Sequence, residues 1–157
     1  MAIKNECIGS GYFNEVLKPN NLRGTVERIK RELKKSTWKF DVIACQGLSG
    51  MSVALPLGFA LNVPVVLVRK TTEGSHAYGL LEGVGGLWKY IIIDDFPETG
   101  KTIDRIIDTI DCNGNDRKYN KRNRKCKCVG AIFYNKIYLN AEDYKWKFPC
   151  INFAFTE

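Results

Sequence analysis

YIIIDDFPETGKTI, Tyr90 to Ile103, decides how the rest of the chain reads. Tyr90 to Ile93 is apolar and rich in β-branched side chains, as a buried strand requires. Ile103, Ile106, Ile107 and Ile110 then recur at helical spacing, so a helix is expected over Thr102 to Ile110. Between the two stand Asp94 and Asp95, followed by Glu98-Thr99-Gly100-Lys101-Thr102 where the helix begins. Unpaired N–H groups at a helix start can wrap a phosphate, and the helix terminus favours its charge. Thr99 and Thr102 add hydroxyl donors, and Gly100 permits close backbone approach. Two carboxylates repel phosphate but suit the vicinal hydroxyls of a sugar, or a hard divalent cation such as Mg²⁺. A phosphate cradle beside a diol acceptor describes a ribose 5-phosphate site. A plain turn with a helix cap is the competing reading. A nucleoside-triphosphatase loop fits poorly: GxxxxGKT needs a glycine where this chain has Asp95.

Working outward, Thr25 is placed to cap a helix running to Lys35, with Val26, Ile29 and Leu33 on one face. Phe40 to Ala44 reads as a buried strand that Gln46-Gly47-Leu48-Ser49-Gly50 breaks. Met51 to Leu61 is long enough for a helix, with Pro56 bending it or falling in its first turns. Val63 to Val68 is a strand ending at Arg69 and Lys70, and Thr71 to Gly86 a mobile loop or hairpin. Trp88 to Ile93 and Cys128 to Tyr134 are further strands, and the tail FPCINFAF is apolar enough to pack. Strand and helix alternate, and the strands are continuous apolar runs. The expectation is an α/β fold with a mostly parallel, twisted sheet and helices on both faces. Ligands of such sheets collect at the carboxyl ends of the strands, where Gln46-Gly47, Arg69-Lys70 and Asp94-Asp95 all fall.

The 157 residues suit a single domain, 1–157. No apolar run approaches the roughly 18 residues of a membrane span, and MAIKNECIG carries charges where an export signal needs an apolar core. A cytoplasmic protein with free thiols is expected. The net charge of +7 is concentrated in a basic insert, 111–128, where seven Lys or Arg face two Asp. Arg117, Lys118, Lys121, Arg122, Arg124 and Lys125, with Tyr119 among them, could track nucleic-acid phosphates; a solvated loop is the plainer reading. Cys112, Cys126 and Cys128 lack a four-ligand zinc pattern.

Four apolar residues, two acids, three variable positions and Thr-Gly-x-Thr resemble the signature of the type I phosphoribosyltransferases. IACQGLSGMSVALPLGFALNVPVVLVRK, Ile43 to Lys70, is similar to their pyrophosphate-loop strand, helix and next strand. The resemblance implies transfer of 5-phosphoribosyl from 5-phosphoribosyl 1-pyrophosphate to a nucleobase, with Mg²⁺, by a homodimer with a small hood built from the termini. It implies that Asp94 and Asp95 hold the ribose hydroxyls, partly through the metal, and that Glu98 to Thr102, including Thr99, Gly100 and Lys101, bind the 5′-phosphate. Gln46, Gly47, Arg69 and Lys70 fall to pyrophosphate, with Lys70 stabilising the leaving group. The segment Thr71 to Gly86, with His76 and Tyr78, would close over the site.

Glu98 stands where the 6-oxopurine branch has an acid beside the base, and Gly100-Lys101-Thr102 is similar to the hypoxanthine-guanine members. WKFPCINF resembles the aromatic ending of xanthine-guanine enzymes, with Trp146 or Phe148 as a base platform. A 6-oxopurine is therefore the expected acceptor. Orotate is the alternative, because RKTTEGSHAYGLLEG resembles the orotate branch in Arg69-Lys70, His76 and Glu82-Gly83. It departs by having Glu73 near the place of a loop lysine and His76 one residue late, and Glu98 near the base would repel an orotate carboxylate. An RNA-binding regulator that keeps the fold is the non-enzymatic alternative.

Overall fold

The computed structural model describes residues 14–70, 79–83, 89–97, 99–114, 125–135 and 146–153. Among these residues, four helices and six strands follow one another as α1 (Asn14–Leu17), α2 (Pro19–Lys35), β1 (Val42–Gln46), α3 (Gly47–Leu61), β2 (Val65–Val68), β3 (Leu81–Gly83), β4 (Lys89–Asp94), α4 (Lys101–Gly114), β5 (Lys127–Phe133) and β6 (Cys150–Asn152). The strands form one sheet in the order β3-β2-β1-β4-β5-β6. β2, β1, β4, β5 and β6 run parallel, and β3 closes one edge antiparallel to β2. The part of the 71–86 segment that is described is thus the returning arm of a hairpin.

Each buried strand feeds two cores, which is why no strand shows a polar face in sequence. Ile43, Cys45, Ile91, Ile93, Ile132 and Tyr134 pack beneath α2 and α3, against Val26, Ile29, Leu33, Val53, Ala54 and Leu57. Val42, Ala44, Val66, Val68, Ile92 and Phe133 point the other way, against Ile103, Ile106 and Ile110 of α4. Helices therefore cover both faces, as expected.

Several boundaries differ from the expected ones. α2 starts at Pro19, six residues ahead of Thr25, because a proline in the first turn gives up no helical hydrogen bond and has its φ preset; Thr25 is a buried interior residue. α3 begins at Gly47, so Pro56 lies inside the helix. α4 extends to Gly114 and β5 starts at Lys127, so both ends of the basic 111–128 stretch are regular structure. Its centre, the terminal residues 1–13 and 154–157 that would contribute to the expected hood, and the closing residues His76 and Tyr78 lie outside the described residues. No helix among the described residues is long and apolar enough to cross a membrane.

Candidate active site

The chain leaves β1 into α3 on one face and β4 into α4 on the other. The crevice between the carboxyl ends of β1 and β4 is therefore the topological switch point of the sheet, where ligands of open α/β folds bind. A cleft of about 420 Å³ opens there, lined by residues from the start of α3, Lys70, the end of β4 and the turn into α4. Of the residues singled out from sequence, Gln46, Gly47, Lys70, Asp94, Asp95, Thr99, Gly100, Lys101 and Thr102 all line it. Glu98 lies outside the described residues.

Asp94 and Asp95 are both buried at the end of β4. Asp94 accepts the N–H of Asp95 at 3.0 Å and the Ser49 hydroxyl at 3.3 Å. Burial, and the neighbouring Asp95 carboxyl group, push Asp94 up to about 7. A cation or sugar hydroxyls at this end would favour the ionised form that burial penalises. Two adjacent carboxylates are too few to enclose a metal alone. They suit Mg²⁺, which keeps several waters and takes further oxygens from a phosphate substrate.

Opposite stands a set of donors. Gly100 has φ +74, which suits glycine, and it lets the chain turn into α4. The Lys101 N–H points to Thr99 Oγ1 at 3.4 Å, and the first helical bond runs from the Asp104 N–H to the Gly100 carbonyl at 3.0 Å. The N–H groups of a helix's first turn have no partner within the helix and favour an anion. At the other wall Gln46 is only 2% exposed, yet neither atom of its amide has a partner among the described residues. An unmet buried amide costs about 1–3 kcal/mol, which a polar ligand here would recover. Gly47 turns at φ +66, and the Lys70 ammonium lies 4.0 Å from where a Gly47 side chain would begin.

Three expected ligand contacts fall elsewhere. Arg69 is 8% exposed and pairs with Glu82 Oε1 at 2.7 Å, tying β2 to β3 instead of facing the cleft. Neighbouring residues of an extended chain point to opposite sides, so Arg69 and Lys70 do not act as a pair. Trp146 and Phe148 also do not line the cleft. β6 joins the sheet beside β5 and leaves both rings on the α4 face, stacked with centroids 6.0 Å apart. Trp146 supports the turn into α4 from behind: its Nε1–H donates to Asp104 at 2.9 Å, and its ring lies 2.8 Å from where a Gly100 side chain would begin. Ser49 and Tyr134 are site-supporting residues that sequence motifs missed. The Tyr134 hydroxyl donates to the Ser49 carbonyl at 2.8 Å, locking the α3 N-terminus to the strand ends. Serine within QGLSG was the one available signal.

No established family profile matches the chain. An orotate phosphoribosyltransferase of Pyrobaculum islandicum is 32% identical over 99 residues, covering 62% of this chain and 50% of that protein. The chain thus spans about half the length of the curated relative it matches. Among solved structures, an adenine phosphoribosyltransferase from Thermoanaerobacter pseudethanolicus superposes with a TM-score of 0.66 at 20% identity, covering 89% of this chain and 83% of that one. An orotate phosphoribosyltransferase from Aeropyrum pernix gives 0.62 at 15% identity, covering 79% and 64%. The fold is that of the type I phosphoribosyltransferases. These relatives are named for orotate and adenine, so the 6-oxopurine branch expected from Glu98 and the Gly100–Thr102 turn finds no support among them.

Proposed function

We propose that this chain is a phosphoribosyltransferase that moves 5-phosphoribosyl from 5-phosphoribosyl 1-pyrophosphate to orotate. The observation that carries the transferase reading is the convergence, in one cleft, of buried Asp94 and Asp95, the Thr99–Thr102 turn, Gln46 and Lys70. Asp94 and Asp95 hold the ribose hydroxyls, and the α4 N-terminus with Thr99 and Thr102 holds the 5′-phosphate. Gln46, the first turn of α3 and Lys70 take pyrophosphate. As the C1–O bond breaks, its electron pair leaves on pyrophosphate, where Lys70 meets the added charge. The base nitrogen bonds to C1 and gives up its proton to the departing pyrophosphate. Mg²⁺ bound at Asp94 and Asp95 would add charge stabilisation to the pyrophosphate. Orotate is preferred over a purine because of the 32% identity with an orotate enzyme and the RKTTEGSHAYGLLEG resemblance. The purine argument rested on Glu98, on the Gly100-Lys101-Thr102 likeness and on Trp146 and Phe148; the turn lines the cleft, and the two aromatics lie away from it.

Incubation with 5-phosphoribosyl 1-pyrophosphate, Mg²⁺ and orotate, adenine, guanine or hypoxanthine, with product chromatography and pyrophosphate detection, tests both levels. Orotidine monophosphate is expected. Turnover of a purine instead would overturn the base assignment alone. No turnover with any base, together with 5-phosphoribosyl 1-pyrophosphate binding that Asp94→Asn and Asp95→Asn leave unchanged, would overturn the transferase.

A homodimer belongs to the same proposal. α3, GLSGMSVALPLGFAL, has no charged residue, and a helix that is apolar all round calls for cover on every side. One side packs on the sheet; Leu48, Leu55 and Phe59, spaced to share another, are exposed, Phe59 at 92%. A second copy would cover that stripe, which begins at the cleft with Leu48.

A further inference from the structure

We infer that the sheet end opposite the cleft is a groove for single-stranded nucleic acid. A depression of about 710 Å³ lies at the amino ends of β1, β4 and β5, where Lys39, Lys89, Lys125 and Lys127 meet Trp38 and Phe40. The lysines come from three separated segments, so the patch is no feature of one charged run. All four are exposed. Lys89 and Lys127 are direct partners in the β4–β5 ladder. Like charges facing each other across strands cost stability, and a bound polyanion would remove that cost. Asp41, the one acid lining the groove among the described residues, is engaged with the main chain: its Oδ2 accepts the Lys89 N–H at 3.2 Å, while Asp111 lies near enough to Lys125 to feel its charge.

The aromatics narrow the class of polyanion. Trp38 lies flat enough on Gly130 that its ring carbons are 2.4–2.7 Å from where a side chain there would begin. Trp38 and Phe40 are half-buried, held by the core yet open to the groove. Cations that follow a phosphate backbone, with aromatic faces for bases, are the elements of single-strand binding. A duplex keeps its base faces stacked inside and has no use for the rings. β4 alone puts roughly 17 Å between Lys89 and Asp94, so the groove is separate from the transfer site and its test does not depend on that activity.

Fluorescence anisotropy of a labelled, mixed-sequence, single-stranded oligoribonucleotide with the full chain, at low and physiological salt, provides the test. Saturable binding that weakens steeply with salt is expected, and a duplex of equal length should bind more weakly. Lys89→Gln with Lys127→Gln removes a repulsive pair from exposed positions and should leave thermal unfolding unharmed. It should lower affinity at least about tenfold and reduce the log–log salt slope by about 1.4. Lys39→Gln with Lys125→Gln is a second variant at exposed sites, with the same expectation. Affinity unchanged in both variants, a duplex bound as tightly as the single strand, or inorganic polyphosphate of matched charge competing on equal terms would each overturn the assignment.

Discussion

Asp94 is a carboxyl group at the end of a buried strand, 3% exposed, with a second carboxyl group as its chain neighbour. Its folded form holds a proton up to about pH 7, whereas the unfolded group releases it near 3.8. Below both values Asp94 contributes nothing to the pH dependence. Between them the folded state binds the extra proton, so stability falls as pH rises, and above about 7 the full penalty applies. Asp94→Asn should therefore stabilise the metal-free, ligand-free protein at pH 8 by more than about 1 kcal/mol, with the gain shrinking towards pH 4, and should abolish the proposed transfer. Thermal unfolding of both proteins across this range checks it; a variant less stable at pH 8, or a difference flat with pH, would refute the assigned burial cost. This is the residue scale at which the site was most legible in sequence. Asp94, Asp95 and the Thr99–Thr102 turn belong to one continuous stretch, and the strand-then-helix context dictates where they point. Where Arg69 points was not legible, because its partner, Glu82, is thirteen residues away on another strand. A linear motif carries no record of that pairing.

The turn between β4 and α4 works as a unit with the far end of the chain. Gly100→Ala meets two separate obstacles: φ +74, unfavourable to a side chain, and the Trp146 ring 2.8 Å from the new carbon. The first costs about 1–2 kcal/mol and the second about 1–3 kcal/mol. Trp146→Leu should relieve only the second. In a double-mutant cycle followed by urea unfolding, Gly100→Ala and Trp146→Leu together should destabilise less than the sum of the single changes. Additive effects would remove Trp146 as the support of the turn. Elements were legible where periodicity ran long, as in α2 and α4, and less so where tertiary contact overrode local signals. Gly47-Leu48-Ser49-Gly50 reads as a helix breaker, yet it forms the first turn of α3. A side chain at position 50 would begin 2.8 Å from the Ile93 carbonyl. The helix sits so close to β4 that position 50 must be glycine, and a Gly-Leu-Ser-Gly run looks like a loop when met in sequence alone.

At the scale of the molecule, the parallel sheet with two helical layers followed from uninterrupted apolar strands, but the strand order did not. Which neighbour β1 and β4 choose depends on where α3 and α4 cross. The resulting arrangement leaves α3 as an outer helix with two apolar sides, and the Leu48, Leu55 and Phe59 stripe stays exposed among the described residues. Exposed apolar surface of this kind favours association. Leu55 and Phe59 are 52% and 92% exposed, so replacing both with Glu should leave the fold intact while making a paired surface repulsive. Size-exclusion chromatography with light scattering should find the parent chain as a dimer at micromolar concentration and Leu55→Glu with Phe59→Glu as a monomer with unchanged circular dichroism. A parent chain that runs as a monomer, or a double variant that still dimerises, would overturn the α3 interface. Because Leu48 belongs both to the stripe and to the cleft wall, loss of the dimer should also raise KM for 5-phosphoribosyl 1-pyrophosphate more than it lowers kcat.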